Sequence, residues 1–432
     1  MTWLLRVLAC ATVALAPLEG YLFAVHGQLA KVTPALLAAV WVAVRVRERR
    51  MPAPHPVHAV LALFAVVLLA STALHAGGPY AVDYLQRWLP FLVITVILVD
   101  VAAREVPIRA LLASIVTGAA VAAVGALHSM VAEGETRATG PLEDPNDLAY
   151  FLVAALPLLV ALLDTGRSRA GLASSRARSA GFALTGLVLV AGAAATFSRG
   201  GALALTVAVV WLTARRALPV RAVAGGVAVV MALGVGVLLF GGPTLDRAVR
   251  EKSHIAETNV DTRELRWQAA ARMAAEHPVL GVGPGGFRSD YPAASGNAEV
   301  DEQTPVAHNM YLEVVAELGL PGFGLFVGLL AVAAVRSERV LRSGTRPPAT
   351  TDSGRMLRSD PRPPPTAGDS ERVPRTDTRR SMVAVQASLL AVVVASTFLS
   401  QQYYLPLWSL VAVVAAADLR RRGTDACAPR HQ

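Results

Sequence analysis

Apolar runs of bilayer-spanning length recur along almost the whole chain, and only short polar intervals separate most of them. A transmembrane helix needs ~20 largely apolar residues. On that ruler, spans are expected near 3–25, 32–46, 57–75, 88–103, 107–128, 147–163, 180–197, 200–214, 221–241, 309–335, 381–399 and 404–419. In hydrocarbon every backbone amide and carbonyl must find its partner within the protein, so runs of this length cross as helices. The expected fold is therefore an all-α integral membrane protein of about twelve transmembrane helices. The second, eighth and last runs are short and suit re-entrant segments. Composition agrees: 54% of the 432 residues are hydrophobic and 16% charged, where a soluble domain carries about 25% charged residues.

The arginines give the orientation. With the N-terminus inside, the cytoplasmic intervals hold Arg45, Arg47, Arg49 and Arg50, then Arg104 and Arg109, then Arg167, Arg169, Arg176 and Arg178, then Arg215, Arg216 and Arg221. The 336–380 stretch and Arg420, Arg421 and Arg422 continue the series, while short outward loops hold Lys31, Arg87, Arg137 and Arg199. The bias satisfies the positive-inside rule with both termini cytoplasmic. The chain then divides into helices one to nine (1–241), an extracytoplasmic loop (242–308), helix ten (309–335), a Pro- and Arg-rich disordered cytoplasmic linker (336–380) and helices eleven and twelve with a tail (381–432). The N-terminus begins like a signal peptide, but another apolar run soon follows Lys31, so an uncleaved first span is expected. The net charge of +9 does not mark a nucleic-acid binder: its arginines lie at span ends, without the interleaved aromatics of a strand-binding groove. Cys10 and Cys427 have no spacing that suits a disulfide or metal.

Three outward patches carry residues suited to chemistry. Gly140 to Asp147 (Gly-Pro-Leu-Glu-Asp-Pro-Asn-Asp) runs into a span, with Asp144 or Asn146 as its N-cap and Glu143 alongside. Thr196-Phe197-Ser198-Arg199-Gly200-Gly201 joins two spans with almost no loop, so Arg199 lies at the outer boundary. An outside arginine opposes the prevailing charge bias, and an ionisable residue at a span is a functional candidate. The third patch is the long loop. There Asp261-Thr262-Arg263-Glu264 fits a capping box, and the helix it starts is expected to run to about His277, where Pro278 stops it. Arg263 and Arg266 share one face of that helix. Two guanidiniums side by side suit a diphosphate, since each offers a planar fork of donors. Gly281, Gly283 and Gly286 spell G-x-G-x-x-G, but no strand-turn-helix unit surrounds them, and a tight outward turn explains them better. His308 opens the tenth span, where a neutral imidazole suits a general base. No His, Asp or Glu spacing suggests a metal, and no metal or cofactor is expected.

Together these patches resemble the O-antigen ligase and polymerase family of bacterial membrane glycan transferases. The similarity lies in Gly140 to Asn146 running into a span, Ser198-Arg199-Gly200 between two spans, and Arg263 four residues before Trp267. It continues in His277-Pro278-Val279-Leu280-Gly281-Val282-Gly283 with Phe287, and in His308-Asn309 followed by Glu317-Leu318-Gly319-Leu320-Pro321-Gly322. The resemblance covers roughly residues 135–335. It implies a helical, GT-C-like glycosyltransferase fold that moves a glycan from an undecaprenyl-diphosphate carrier to a lipid, glycan or protein acceptor on the outer side of the cytoplasmic membrane. It also implies that Arg199 and Arg263 hold the diphosphate, with Arg266 an adjacent candidate, and that His308 serves as base or orients the acceptor. Asn146, Glu143 and Asn309 are carried over as acceptor-side or site-shaping residues.

The chemistry fits those assignments. Departure of a lipid diphosphate builds negative charge that fixed cations stabilise, and guanidiniums stay charged in a partly dry site. Glu143 and Asp144 compete with His308 for the role of base. A lipid-linked glycan transporter or flippase is the alternative; it would put charges deep within several spans and show repeated halves. A signalling or structural protein would leave the Arg and His positions unexplained.

Overall fold

The computed structural model describes residues 2–142, 144–163, 172–228, 231, 262–299, 302–343 and 375–426, and these are helical with no strand among them. In chain order the helices are α1 (Thr2–Leu15), α2 (Glu19–Val25), α3 (Leu29–Glu48), α4 (Pro56–Leu74), α5 (Ala81–Arg104), α6 (Ile108–Ala132), α7 (Pro145–Leu162), α8 (Leu172–Ala195) and α9 (Arg199–Ala214). Helix α10 follows at 262–276, then α11 (Gly286–Ser295), α12 (Met310–Ser343), α13 (Arg375–Ala395) and α14 (Leu405–Ala426).

Nine helical stretches among the described residues are long and apolar enough to cross a membrane, and they make this a multi-pass membrane protein. The difference from about twelve has physical causes. The α9 helix has 16 residues, about 24 Å at 1.5 Å per residue, short of a ~30 Å hydrocarbon core. In α14 the apolar run ends at Ala417, before Asp418 and Arg420 to Arg422. The run at 221–241 is helical at 220–228, and most of the remainder lies outside the described residues. Conversely, the second run is not short: α3 is a full 20 residues. The first span is interrupted by a 3-10 turn, Ala16–Leu18, at Pro17, where the missing N–H and the ring break the helical ladder. The tenth helix continues past the expected end at 335 to Ser343; residues 344–374, most of the expected linker, and 242–261 and 300–301 of the long loop lie outside the description.

The core is built around α14, whose residues from Leu405 to Asp418 are all buried. It packs on α5, α12 and α13, while α13 lies against α7 and α9. Trp88 and Trp408, both fully buried, meet edge to face at 6.2 Å. One end of the bundle is closed by ion pairs. Asp100 accepts from Arg45 at 2.5 Å and from Trp41 at 2.8 Å, and pairs with Arg104 at 3.1 Å. Asp418 is paired with Arg422 at 2.7 Å, Arg421 at 3.3 Å and Arg336 at 3.6 Å, with His55 at 3.4 Å.

At the other end, α12 is broken, and sequence explains how. Pro321 has no N–H to give the carbonyl of Glu317, and Gly319 adopts φ 65°, ψ −172°, a region essentially reserved for glycine. The carbonyls of Ala316 and Glu317 instead accept from Val282 N at 2.9 Å and Gly283 N at 3.0 Å, while Leu320 N donates to Pro278 O at 2.8 Å. The His277–Gly283 turn thus supplies the hydrogen bonds that the break in α12 removes, as buried backbone requires. The approach leaves no room for a side chain: a Cβ on Gly319 would lie 2.6 Å from the carbonyl carbon of Val279. The glycine-rich stretch is a turn docked on a broken membrane helix, in keeping with its reading as a turn rather than a nucleotide motif.

Candidate active site

Three helices begin at this end, and each is capped by a residue from one of the three sequence patches. Asp144 caps α7, its Oδ1 accepting from Asn146 N at 2.7 Å and from Asn146 Nδ2 at 2.9 Å. Ser198 caps α9, accepting from Gly201 N at 3.2 Å. Asn309 caps α12, accepting from Tyr311 N at 3.1 Å and Leu312 N at 3.2 Å. Helix N-termini carry partial positive charge and favour anions. Beside two of these caps a non-glycine residue is held in the left-handed region, Phe197 at φ 52° and His308 at φ 48°. Such strain persists only where surrounding contacts enforce it.

All three helix starts abut one segment, residues 396–404. Met310 N donates to Ser396 O at 3.0 Å and Leu399 O at 2.9 Å. Gly200 lies against Phe398, where an added Cβ would come within 3.1 Å of the Phe398 Cβ. Tyr404 OH donates to Asp147 Oδ2 at 2.8 Å, and Gln401 Nε2 donates to the other oxygen. Arg137 forms a further tie: its Nε donates to Thr196 O at 3.0 Å and its Nη2 reaches Asn146 Oδ1 at 3.5 Å.

Of the expected residues, Arg263, Arg266 and His308 come within electrostatic reach of one another, and Arg263 and His308 also within reach of Asp144. Burial, reinforced by the nearby Arg263 and Arg266 charges and opposed by Asp144 and Glu302, pushes the His308 imidazole down to about 4. Its neutral form therefore prevails well below neutral pH. Burial also lowers Arg263, against the pull of Asp144, and Arg137 shifts the same way for the same reason. Arg199 stands at the first position of α9 with an exposed side chain. Asn146 and Asn309 are in place as described, while Glu143 lies outside the described residues.

Arg266 differs from its expected role. Its guanidinium is filled by Glu299, at 3.0 and 2.9 Å, and by Glu302 at 2.8 Å, with Val306 O at 3.5 Å. Burial opposes its charge, but these carboxylates outweigh burial and raise its pKa. Glu299 also accepts from Tyr291 OH. Arg266 thus ties Glu299, Glu302 and Val306 together shortly before His308, close to a small core of Ala269, Met273, Phe287, Tyr291 and Ala307.

Sequence reasoning gave no individual role to four features at this end: Arg137, Asp147 at the close of the first patch, Glu313 and the 400–404 segment. The run Ser400-Gln401-Gln402-Tyr403-Tyr404 between two spans was a signal in plain sight, since five hydrogen-bonding side chains at a membrane helix turn need partners. Among the described residues no group of three or more His, Cys, Asp or Glu is arranged to hold a metal ion.

The molecule is thus a multi-pass membrane protein with capped helix starts, arginines and a neutral histidine gathered at one end. Residues 182–327, from α8 into α12, match the family model described as O-antigen ligase. That segment is similar to the O-antigen ligase family, and the similarity supports a membrane glycan ligase or polymerase. A search of curated proteins gave no match.

Proposed function

We propose that this protein transfers a glycan from an undecaprenyl-diphosphate carrier to an acceptor hydroxyl at the outer face of the cytoplasmic membrane, without a metal ion, as a surface polysaccharide ligase or polymerase. The observation that carries the reading is Arg263 beside a neutral His308, among helix N-termini that favour an anion. Arg263 and Arg199 hold the diphosphate, and Arg137 adds charge from the opposite loop. As the acceptor oxygen bonds to the anomeric carbon, the bond from that carbon to the diphosphate oxygen breaks. The leaving diphosphate keeps the electron pair, and the arginines stabilise it. The acceptor proton passes to the imidazole of His308.

The depressed imidazole gives this scheme an order of events. In the free protein the fields of Arg263 and Arg266 disfavour protonation of His308. A bound diphosphate compensates those charges, so the imidazole becomes a better base once the donor is seated. Arg266 contributes by fixing the segment before His308 rather than by touching the diphosphate.

The test is a transfer assay in nanodiscs with a lipid-diphosphate-linked oligosaccharide and EDTA, with Arg263→Ala as the control. Transfer by the wild type that disappears in the variant is the expected result. Movement of the lipid-linked sugar across the bilayer with no transfer would overturn the reading in favour of a flippase.

A further inference from the structure

Glu313 lies on the first turn of α12, fully buried, and no sequence motif assigned it a role. Its Oε2 accepts from Ala307 N at 3.1 Å, the amide immediately before His308. The same oxygen accepts from Ser400 Oγ at 2.5 Å, and Oε1 accepts from Gln402 Nε2 at 2.6 Å. One carboxylate therefore joins the turn that carries His308 to alternate residues of the 400–404 segment. Gln401 between them and Tyr404 after them instead donate to Asp147, three residues beyond the cap of α7. The segment is gripped on two sides, by α12 beneath His308 and by α7 beneath Asp144 and Asn146.

This arrangement answers a question the backbone poses. His308 has φ 48°, a conformation that a side chain with a Cβ enters only at a cost. It is held from its N-terminal side by the Ala307 amide on Glu313 and from its C-terminal side by Met310 N on the end of α13. Both restraints run through residues 396–402. Loss of Glu313 would free the first of them and leave the buried Ala307 amide, Ser400 and Gln402 without their acceptor.

We infer that Glu313 is a positioning residue: acting through the Ser400–Tyr404 segment, it holds His308 in its left-handed conformation opposite Asp144. The role concerns the transfer step, so its catalytic part rests on the function proposed above. A 1 Å displacement of a reacting group costs about 10²-fold in rate, and the effect belongs in kcat rather than in the affinity for the carrier, whose diphosphate is held by Arg263 and Arg199.

The experiment compares wild type, Glu313→Gln and Ser400→Ala in nanodiscs. Amide hydrogen exchange is read over 302–312, together with kcat and carrier KM. In Glu313→Gln one oxygen becomes an NH2 that cannot accept, so either the Ala307 amide and Ser400 or the Gln402 side chain loses its present acceptor. Exchange across 302–312 should rise about tenfold, and kcat should fall about 10–100-fold with carrier KM within about twofold. Ser400→Ala should move the same quantities in the same direction by less, and it carries the test if Glu313→Gln does not fold. Unchanged exchange or unchanged kcat in a folded variant would overturn the proposal, as would a rise in carrier KM with kcat intact. A wild type without transfer activity would instead defeat the ligase reading, and exchange alone would then decide whether the clamp exists.

Discussion

The two ends of the bundle treat their arginines in opposite ways. At the end holding Asp100 and Asp418, five guanidiniums are matched with buried carboxylates, Arg45 and Arg104 on the first, Arg336, Arg421 and Arg422 on the second, while Arg420 is held by the carbonyls of Ala102 and Val106. At the end holding His308, Arg137 and Arg263 are partly buried with Asp144 as their shared carboxylate neighbour, and Arg199 is exposed. A buried charge without a close partner is costly. On the function proposed above, the partly buried arginines at the His308 end are the ones that meet the donor diphosphate. Arg266 is the instructive exception, a site-end arginine treated like those at the far end.

The contrast is open to test by substitution, and the largest effect belongs to Arg263. Its replacement by alanine should lower transfer about 10²–10³-fold, the usual scale for removing one donor to developing negative charge. Melting temperature should hardly move. Lysine should rescue poorly because the planar fork is lost, and normal transfer by Arg263→Ala would remove it from the diphosphate site. At the far end, Asp100→Asn should do the reverse. Leaving Arg45 without its closest partner should cost about 3 kcal/mol of stability, seen as earlier thermal unfolding, with kcat per folded molecule unchanged. A kcat defect there would show that the two ends are coupled. Arg266→Ala should combine the two outcomes, losing about 3 kcal/mol through the abandoned Glu299 and Glu302 together with part of kcat.

A subtler effect is the response to pH. The folded protein keeps His308 neutral down to about 4, whereas an imidazole in an unfolded chain protonates near 6.5. Between those values the unfolded state binds the extra proton, so the stability contributed by this group should fall as pH drops through that window and level off below it. Activity of the free enzyme should stay flat from neutral pH to about 5 and decline only near 4. Replacing Arg263 should move the His308 titration upward, readable by NMR of labelled histidine, and an unmoved titration would separate the two side chains. The smallest effect is expected from removing residues 345–370, which by sequence lie across the membrane from the site. Loss of transfer at normal membrane levels would reveal a cytoplasmic partner.

Local features were the legible ones. The apolar runs marked the helices, Pro278 marked the end of α10, and Asp144, Ser198 and Asn309 have the side chains that cap helices. What escaped were pairings between distant stretches. Nothing in the apolar run 309–335 shows that its helix breaks at Gly319, because the partners of its carbonyls lie in 278–283. Arg266 looked as free as Arg263 three residues earlier, since the carboxylates that occupy it come more than thirty residues later at Glu299 and Glu302. Glu313 read as one more first-turn acid, and its partners Ser400 and Gln402 lie beyond the linker. Periodicity reports which face of a helix is apolar; it says nothing about which remote donor a buried carboxylate will meet.

The break in α12 also bears on biogenesis. Translation delivers the 278–283 turn before the helix that needs it, yet the two lie on opposite sides of Met310 and dock only after α12 has entered the bilayer. Until then the carbonyl of Glu317 faces Pro321, which has no N–H to give, and the Leu320 amide lacks its Pro278 acceptor. The newly inserted protein should therefore pass through a stage in which this span is long enough to cross but incompletely bonded, a natural moment for recognition by membrane quality control. Gly319→Ala, by blocking the close approach to Val279, should prolong that stage and shorten the lifetime of the nascent protein in a pulse-chase experiment; an unchanged lifetime would show that docking is not a checkpoint.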